Sequence, residues 1–421
     1  MQHDSLTAGG GRNVVSETIG QPSILLVSLV KVVVLLFLVL TAVAYLVWFE
    51  RKLAAHLQGR WGPYRTGPHG LLQPLADGLK FLLKEDVTPA GADRFLYVAA
   101  PFLTMTLAIS SIAMIPFGPA SIRIFGEITP LVVANSNVGL LIIFAITSIG
   151  VYGVALAGWS SNSKYSLLGA LRSSAQMISY EISLTLSIVG VLLLAGTFNL
   201  SELITRQSGH TWGILPKWNL LNPTFPQILG FFCYFVSAVA ETNRAPFDLA
   251  EAESELVAGF HTEYSSFKFA MFFLAEYASM ITVACLATIL FLGGWLSPFP
   301  QIPALDWMRY LPSALLGIAG LALIIHGVRY STILGRIALP LLGVVLCALA
   351  FLCSRPNVVF YVQGPFWFLA KVFVVLFVYV WVRWTLPRFR YDQLMRFGWK
   401  FLFPLALFNV VLTSFAVVMH K

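Results

Sequence analysis

Ten apolar stretches, each close to the length of a bilayer-crossing helix, take up most of this 421-residue chain. A hydrocarbon core needs about 20 apolar residues in helical form, and backbone polar groups in lipid must be satisfied within the segment that carries them. The stretches fall at about 24–49, 95–118, 135–158, 173–196, 226–243, 269–293, 311–328, 334–353, 364–385 and 401–419. With 58% hydrophobic and 11% charged residues and a mean hydropathy of +0.80, no soluble domain of useful size remains between them. The expected fold is all-α: a polytopic transmembrane helical bundle of about ten spans. Residues 1–22 are polar and Gly-rich, without the basic start, apolar core and small-residue cleavage site of a signal peptide. The first span is expected to be its own insertion signal.

Orientation follows from Lys and Arg in the connections. Loop 51–94 carries Arg51, Lys52, Arg60, Arg65, Lys80, Lys84 and Arg94, and loop 383–400 carries Arg383, Arg388, Arg390, Arg396 and Lys400. The alternate loops carry one or two each. Threading ten spans puts the basic loops inside, together with acidic loop 244–268, and both termini outside. This topology accounts for the net charge of +8 and the pI near 9.3 without nucleic acid as a partner. A basic inner face suits anionic lipid or an acidic soluble partner.

Redox and metal chemistry are not expected of this chain itself. Cys233, Cys285, Cys347 and Cys353 lie inside the spans without CxxC spacing and read as packing residues. His3, His210 and His420 lie near outer ends, His56, His69 and His261 in inner loops, and only His326 approaches the end of a span. A di-haem protein would place paired His at mid-depth. Electrons passing here would need another subunit.

The first inner loop, ERKLAAHLQGRWGPYRTGPHGLLQPLADGLKFLLKEDVTP, opens with turn-forming Gly and Pro. Its second half interleaves Leu71, Leu72, Leu75, Leu79, Phe81, Leu82 and Leu83 with Asp77, Lys80, Lys84 and Glu85. That pattern predicts a short amphipathic helix in the interface plane. It is a surface anchor, or else the lining of an entrance for a lipid-soluble molecule.

Carboxylates inside spans cost about 2.5–3.5 kcal/mol each on insertion scales and call for a partner or a task. Glu181 is the deepest, Glu276 lies in the sixth span and Glu241 ends the fifth, continuous with Asp248, Glu251, Glu253, Glu255 and Glu263 in ETNRAPFDLAEAESELVAGFHTEYSSFK. Burial favours the protonated form of a carboxyl group, which suits a proton relay. Glu251 and Glu255, spaced i,i+4, share a helical face, where like charges repel. The structural alternative is a salt bridge, for example to Arg172 or Arg244. Lys31 is close enough to the outer end to snorkel, whereas Lys371 lies deeper and is expected to pair with a Glu.

Three long strings now carry a resemblance: Glu50-Arg51-Lys52 with GRWGPYRTGPHGLLQPLADGLKFLLKE, then GWSSNSKYSLLGALRSSAQMISYE, then ETNRAPFDLAEAESELVAGFHTEYSSFKFAMFFLAEY. In order and over residues 24–294, they resemble the signatures of the respiratory complex I subunit 1 family, the H-type membrane subunit of bacterial NADH:quinone oxidoreductase. The last two spans are also similar. The resemblance implies a bacterial inner-membrane protein that builds the membrane part of a quinone tunnel, docked against soluble-arm subunits on the inner face and membrane-arm subunits laterally. Quinone would be the substrate, with FMN and iron–sulfur clusters on partner subunits. Glu50, Arg51, Lys52, Arg60, Pro63, Lys84 and Glu85 would form the tunnel wall or docking surface. Glu181, Glu241, Glu251, Glu253, Glu255, Glu263 and Glu276 would form a proton-conducting path, with Arg244 and Asp248 beside it.

The chain departs from that family's eight spans. Between Gly293-Gly294-Trp295 and Pro365-Phe366-Trp367-Phe368 it carries two extra apolar runs, with Arg329 and Arg336 between them as an inner turn. The expected organisation is a polar segment 1–23, a six-span core 24–294 containing loop 50–94 and acidic loop 241–268, an insertion 295–363, and two final core spans 364–421. Two rivals stay open. The membrane subunit of an energy-converting hydrogenase, or of another donor:quinone oxidoreductase, shares the fold and the acidic residues. A secondary transporter would also use midplane polar groups, but predicts internal repeats, and none is visible.

Overall fold

Helices form where the apolar runs predict them, and their ends are set by turn chemistry rather than by the limits of the hydrophobic stretch. The computed structural model describes residues 22–119, 121–124, 127–211, 215–248, 257–299, 303–330 and 333–420. Helix α1 (Pro22–Leu57) runs past its apolar run without interruption and carries Glu50, Arg51, Lys52 and His56 on its last two turns. The expected amphipathic helix is α2 (Gln73–Leu83), with Leu75, Leu79, Leu82 and Leu83 exposed along its apolar side. Ser266 Oγ donates to the carbonyls of Phe81 and Lys84 at 2.9 and 2.8 Å, tying the end of α2 to the bundle.

The bundle continues with α3 (Arg94–Ile112), α4 (Gly139–Ser160), α5 (Lys164–Ala195), the short α6 (Leu200–Thr205), α7 (Ile228–Glu241) and α8 (Ser266–Phe291). Two small antiparallel hairpins, Ser121–Ile124 with Glu127–Pro130 and His210–Thr211 with Leu215–Pro216, lie in the connections. Helix α8 is the axis of the fold: it packs against α1, α3, α7 and α11 (Pro356–Thr385), and most of its side chains are buried. Helix α12 (Tyr391–Phe397) passes through a π-helical turn, Gly398–Leu402, into α13 (Phe403–Met419).

Among the described residues nine helices are long and apolar enough to cross a membrane, against the ten spans expected. The tenth is α7, whose 14 residues give a length of about 21 Å, well short of a hydrocarbon core of about 30 Å. Its C-terminal end is enclosed by protein. The chain continues there as a turn through Thr242, Asn243 and Arg244, 6%, 7% and 3% exposed. Irregular backbone in a bilayer is tolerated only where protein buries it, and α5 does so: Gln176 Nε2 donates to the carbonyls of Ala240 and Phe247, both at 2.8 Å, and Asn243 Nδ2 donates to Ser173 Oγ at 2.6 Å.

The two extra runs form α9 (Leu311–Val328) and α10 (Ile333–Cys353), which pack mainly on each other. Their close approach is set by Gly320 and Gly343: a Cβ on either would meet the other's carbonyl oxygen at 2.8 or 2.6 Å. Large apolar side chains such as Ile318, Leu321, Ile325, Leu341 and Val344 stay exposed.

Both intramembrane lysines are satisfied by carbonyls. Lys31 Nζ donates to Pro130 and Val132 at 3.0 and 3.1 Å. Lys371, expected to pair with a glutamate, instead donates to the carbonyls of Leu292, Gly294 and Leu296 at 2.7, 2.9 and 2.7 Å and lies 4.3 Å from the Trp218 ring centroid. The physical reason is local: α8 ends at Phe291 and the Gly293–Gly294 turn, with φ of 71° and 51°, directs a cluster of carbonyls at one point. The negative end of a helix favours a cation. Lys371→Met is expected to leave these carbonyls unsatisfied and to lower the stability of the solubilised protein by about 1–3 kcal/mol, measured as a drop in melting temperature; an unchanged melt would show that the lysine is dispensable to the turn.

Candidate functional site

The turn after α7 brings residues from four parts of the chain into one buried ionic cluster. Arg244, at the end of that turn, lies with its Nε 2.5 Å from Glu276 Oε1 of α8 and its Nη1 3.4 Å from Glu50 Oε1 of α1. Its guanidinium carbon is 4.1 Å from the centroid of the Tyr277 ring. The Tyr277 hydroxyl donates to Glu50 Oε2 at 2.6 Å, and Arg383 of α11 pairs with Glu50 Oε1. Glu50 and Arg244 are 4% and 3% exposed. Two carboxylates thus face two guanidiniums, the balance that a low-dielectric site requires.

Behind this cluster, between α3, α4, α5, α7 and α8, lies a cavity of about 100 Å³. Its polar wall includes Glu241, Thr242, Asn243, His261 and Glu276. A cavity of this size with several polar partners has room for ordered water. Farther along, Glu181 sits midway on α5, accepts a hydrogen bond from Ser148 Oγ of α4, and lies within electrostatic reach of Glu241. The Glu241 end of α7 is also flanked by Tyr234, Thr242 and Tyr379, the last two hydroxyls 2.9 Å apart. Carboxyl groups spaced by hydroxyls and by a mostly apolar cavity with one polar wall can take up and hold protons, and pass them where water bridges the gaps.

On the loop side of the cluster, Asp248 Oδ2 lies 3.4 Å from Arg388 Nη2. Burial pushes the Asp248 carboxyl up to about 6, while Arg388 and Arg244 pull against that rise. Burial also pushes the His261 imidazole down to about 3, so it borders the cavity as a neutral group. Glu263 contributes its carbonyl to the Tyr97 hydroxyl at 2.6 Å. Glu251, Glu253 and Glu255 lie outside the described residues.

The residues expected along the first inner loop divide in two. Glu50 belongs to the buried cluster, whereas Arg51 pairs with Asp77 of α2 at 2.7 Å and so fixes α2 against the end of α1. Lys52 Nζ donates to the Trp61 carbonyl at 3.4 Å, and Arg60 Nε to Gln58 at 2.8 Å. Pro63 packs its carbonyl against Gly70, where a Cβ would overlap it. Lys84 and Glu85 are exposed beyond α2. On the lipid side, a groove of about 1060 Å³ runs between α1, α3 and α8, apolar for most of its length, with Asp86, Arg94 and Lys268 among its lining residues. Lys268 pairs with Asp86 at 2.9 Å.

Nothing in the sequence singles out Arg383, Tyr277, Ser148, Tyr379 or His261 as site residues. Arg383 is visible only as part of a basic loop, and Tyr277 has one signal, its place directly after an intramembrane glutamate. Glu276, by contrast, has the salt bridge to Arg244 that sequence reasoning allowed as the structural alternative to a proton path.

A family model described as NADH dehydrogenase matches residues 30–414. The chain is 52% identical over 395 residues to an H-type subunit of NADH-quinone oxidoreductase from Solibacter usitatus (strain Ellin6076), covering 94% of this chain and 98% of that one. It is 43% identical over 417 residues to an H-type subunit of the same enzyme from Geobacter sulfurreducens, covering 96% and 99%, and 44% identical over 399 residues to that from Leptospira biflexa, covering 93% and 95%.

The Asp248 geometry yields a pH prediction. The folded-state value lies above the ordinary 3.8, so ionisation of Asp248 costs stability: the cost is absent below about pH 4 and complete above about pH 6. Asp248→Asn is expected to stabilise the protein relative to wild type by up to about 3 kcal/mol, with the gain growing between pH 4 and pH 6. Melting curves across that range check it, and a pH-independent difference would contradict it.

Proposed function

The chain belongs to the NADH dehydrogenase family as a membrane subunit of NADH-quinone oxidoreductase, and from that premise we propose that it forms the membrane part of the quinone tunnel and an acidic path joining quinone reduction to proton movement. The observation that supports this reading is the series Glu50, Arg244 and Glu276, paired in one cluster, followed by the cavity that Glu276 and Glu241 both line and by Glu181 within electrostatic reach of Glu241.

The chain's own groups have separable tasks. Arg51 and Asp77 hold the amphipathic helix α2 at headgroup level, where a long-tailed amphiphile presents its polar head. The lipid-side groove beside α1, α3 and α8 suits an isoprenoid tail. Glu50, held by Arg244, Arg383 and Tyr277, senses charge at the tunnel end: a change there alters how Arg244 divides its pairing between Glu50 and Glu276. Glu276 borders the cavity, so that redistribution reaches Glu241 through the polar wall and Glu181 beyond it. Water in the cavity would supply the hydrogen-bonded links between carboxylates that do not touch. By sequence, Glu251, Glu253, Glu255 and Glu263 belong to the same acidic loop.

This chain would bind no redox group of its own. FMN and iron–sulfur clusters on soluble partner subunits would deliver electrons to the quinone, and membrane-arm neighbours would receive the proton-linked signal. The protein would reside in the bacterial inner membrane with both termini outside, built as the core 24–294 and 364–421 with the insertion 295–363 at its side.

In native membrane vesicles that retain the assembled complex, Glu181→Gln and Glu241→Gln are expected to reduce NADH-driven acidification by tenfold or more, with quinone reduction lowered to match or released from pumping. Unchanged acidification in both variants would reduce these carboxylates to packing roles.

A further inference from the structure

Among the described residues, the inserted helix pair meets the first inner loop at His69. His69 Nε2, in the Pro68–Gly70 turn, lies 2.7 Å from His326 Nε2 near the inner end of α9. The two rings are 4.9 Å apart, and Tyr330 lies 5.9 Å and Tyr64 5.5 Å from the His69 ring. His69 has φ of 53°, between Gly67 at 72° and Gly70 at 75°. A left-handed backbone costs a non-glycine residue about 1–2 kcal/mol, and such strain persists where the surroundings over-determine it. Here Pro63 fixes the turn from one side and His326 from the other.

We infer that His326 is a positioning residue for the quinone-entrance loop: the inserted helix pair clasps that loop through an imidazole–imidazole hydrogen bond and so holds the Tyr64–Gly70 segment in its bound geometry. This inference rests on the reading of loop 50–94 as tunnel wall. The bond needs one Nε2 to donate and the other to accept, so it forms with neither or one imidazole charged and fails when both are. The charged and titratable groups around His69 are Lys52 of α1, Tyr64 of the loop, and Tyr330 at the hairpin turn, whose carbonyl accepts from Arg336 Nε at 2.7 Å. Burial, His326 and Lys52 all push the His69 imidazole below its ordinary value. The clasp is therefore closed at neutral pH and opens as pH falls.

The test uses the assembled complex in native membranes, comparing a long-tailed with a short-tailed quinone. His326→Ala is expected to raise KM for the long-tailed quinone by about fivefold, the equivalent of one neutral hydrogen bond, with kcat and the short-tailed KM unchanged. His326→Gln, whose amide can donate to His69, is expected to restore most of that loss. Wild-type KM for the long-tailed quinone should rise on acidification, and the Ala variant should lack this rise. Equal losses for both quinones, or a fall in kcat with no effect of pH, would assign His326 a merely structural role and overturn the proposal. Leu79→Gln and Leu82→Gln in α2 separate the two readings. If they raise the long-tailed KM and His326→Ala does not, the clasp fails and the tunnel reading stands; if none has an effect, the tunnel reading falls with it.

Discussion

A guanidinium cannot be left alone in an apolar interior, and one end of this bundle is arranged around that constraint. Arg244 meets Glu276 and Glu50 while stacking on Tyr277, and Glu50 in turn meets Arg383. Four segments far apart in sequence are thereby fixed to one point. Removing one member of a buried ion cluster costs about 3–5 kcal/mol because the remaining charge loses its compensation. The same cost keeps α1, the α7 turn, α8 and α11 in register.

The second constraint is the shortness of α7. A full-length span would have put Glu241, Thr242 and Asn243 at the membrane surface, where water satisfies them. Stopping at Glu241 places a carboxyl, two polar side chains and a turn of irregular backbone inside the protein, where the Gln176 amide of α5 donates to the backbone carbonyls of Ala240 and Phe247 and the Ser173 hydroxyl accepts from the Asn243 side chain. The cavity and the ionic cluster are two sides of that one turn.

Hydropathy alone made the helical bundle legible, since a chain in lipid has few other choices. The three long motifs then pointed to the family that the comparisons show. Element ends were less legible: α1 and α5 extend well beyond their apolar runs because a helix that continues into protein or headgroups needs no hydrophobic residues to do so. The carboxylates of the site could be named from residue type and depth. Their partners could not, because Arg383 and Glu50 are separated by most of the chain and no local pattern records that they meet. Lys371 shows the same limit in reverse: a buried cation suggested an anion, but three carbonyls at a helix end satisfy it equally well.

Helix α1 has no glycine or proline between Leu25 and Leu57, so it behaves as a single stiff rod. Glu50 near one end lies in the ionic cluster, and Lys31, about 28 Å away along the axis, is tethered to the carbonyls of Pro130 and Val132 at the opposite end of the bundle. A stiff rod with both ends tethered transmits axial displacement with little loss. One uninterrupted helix thus joins the ionic cluster at Glu50 to the Pro130–Val132 segment, whose carbonyls Lys31 caps.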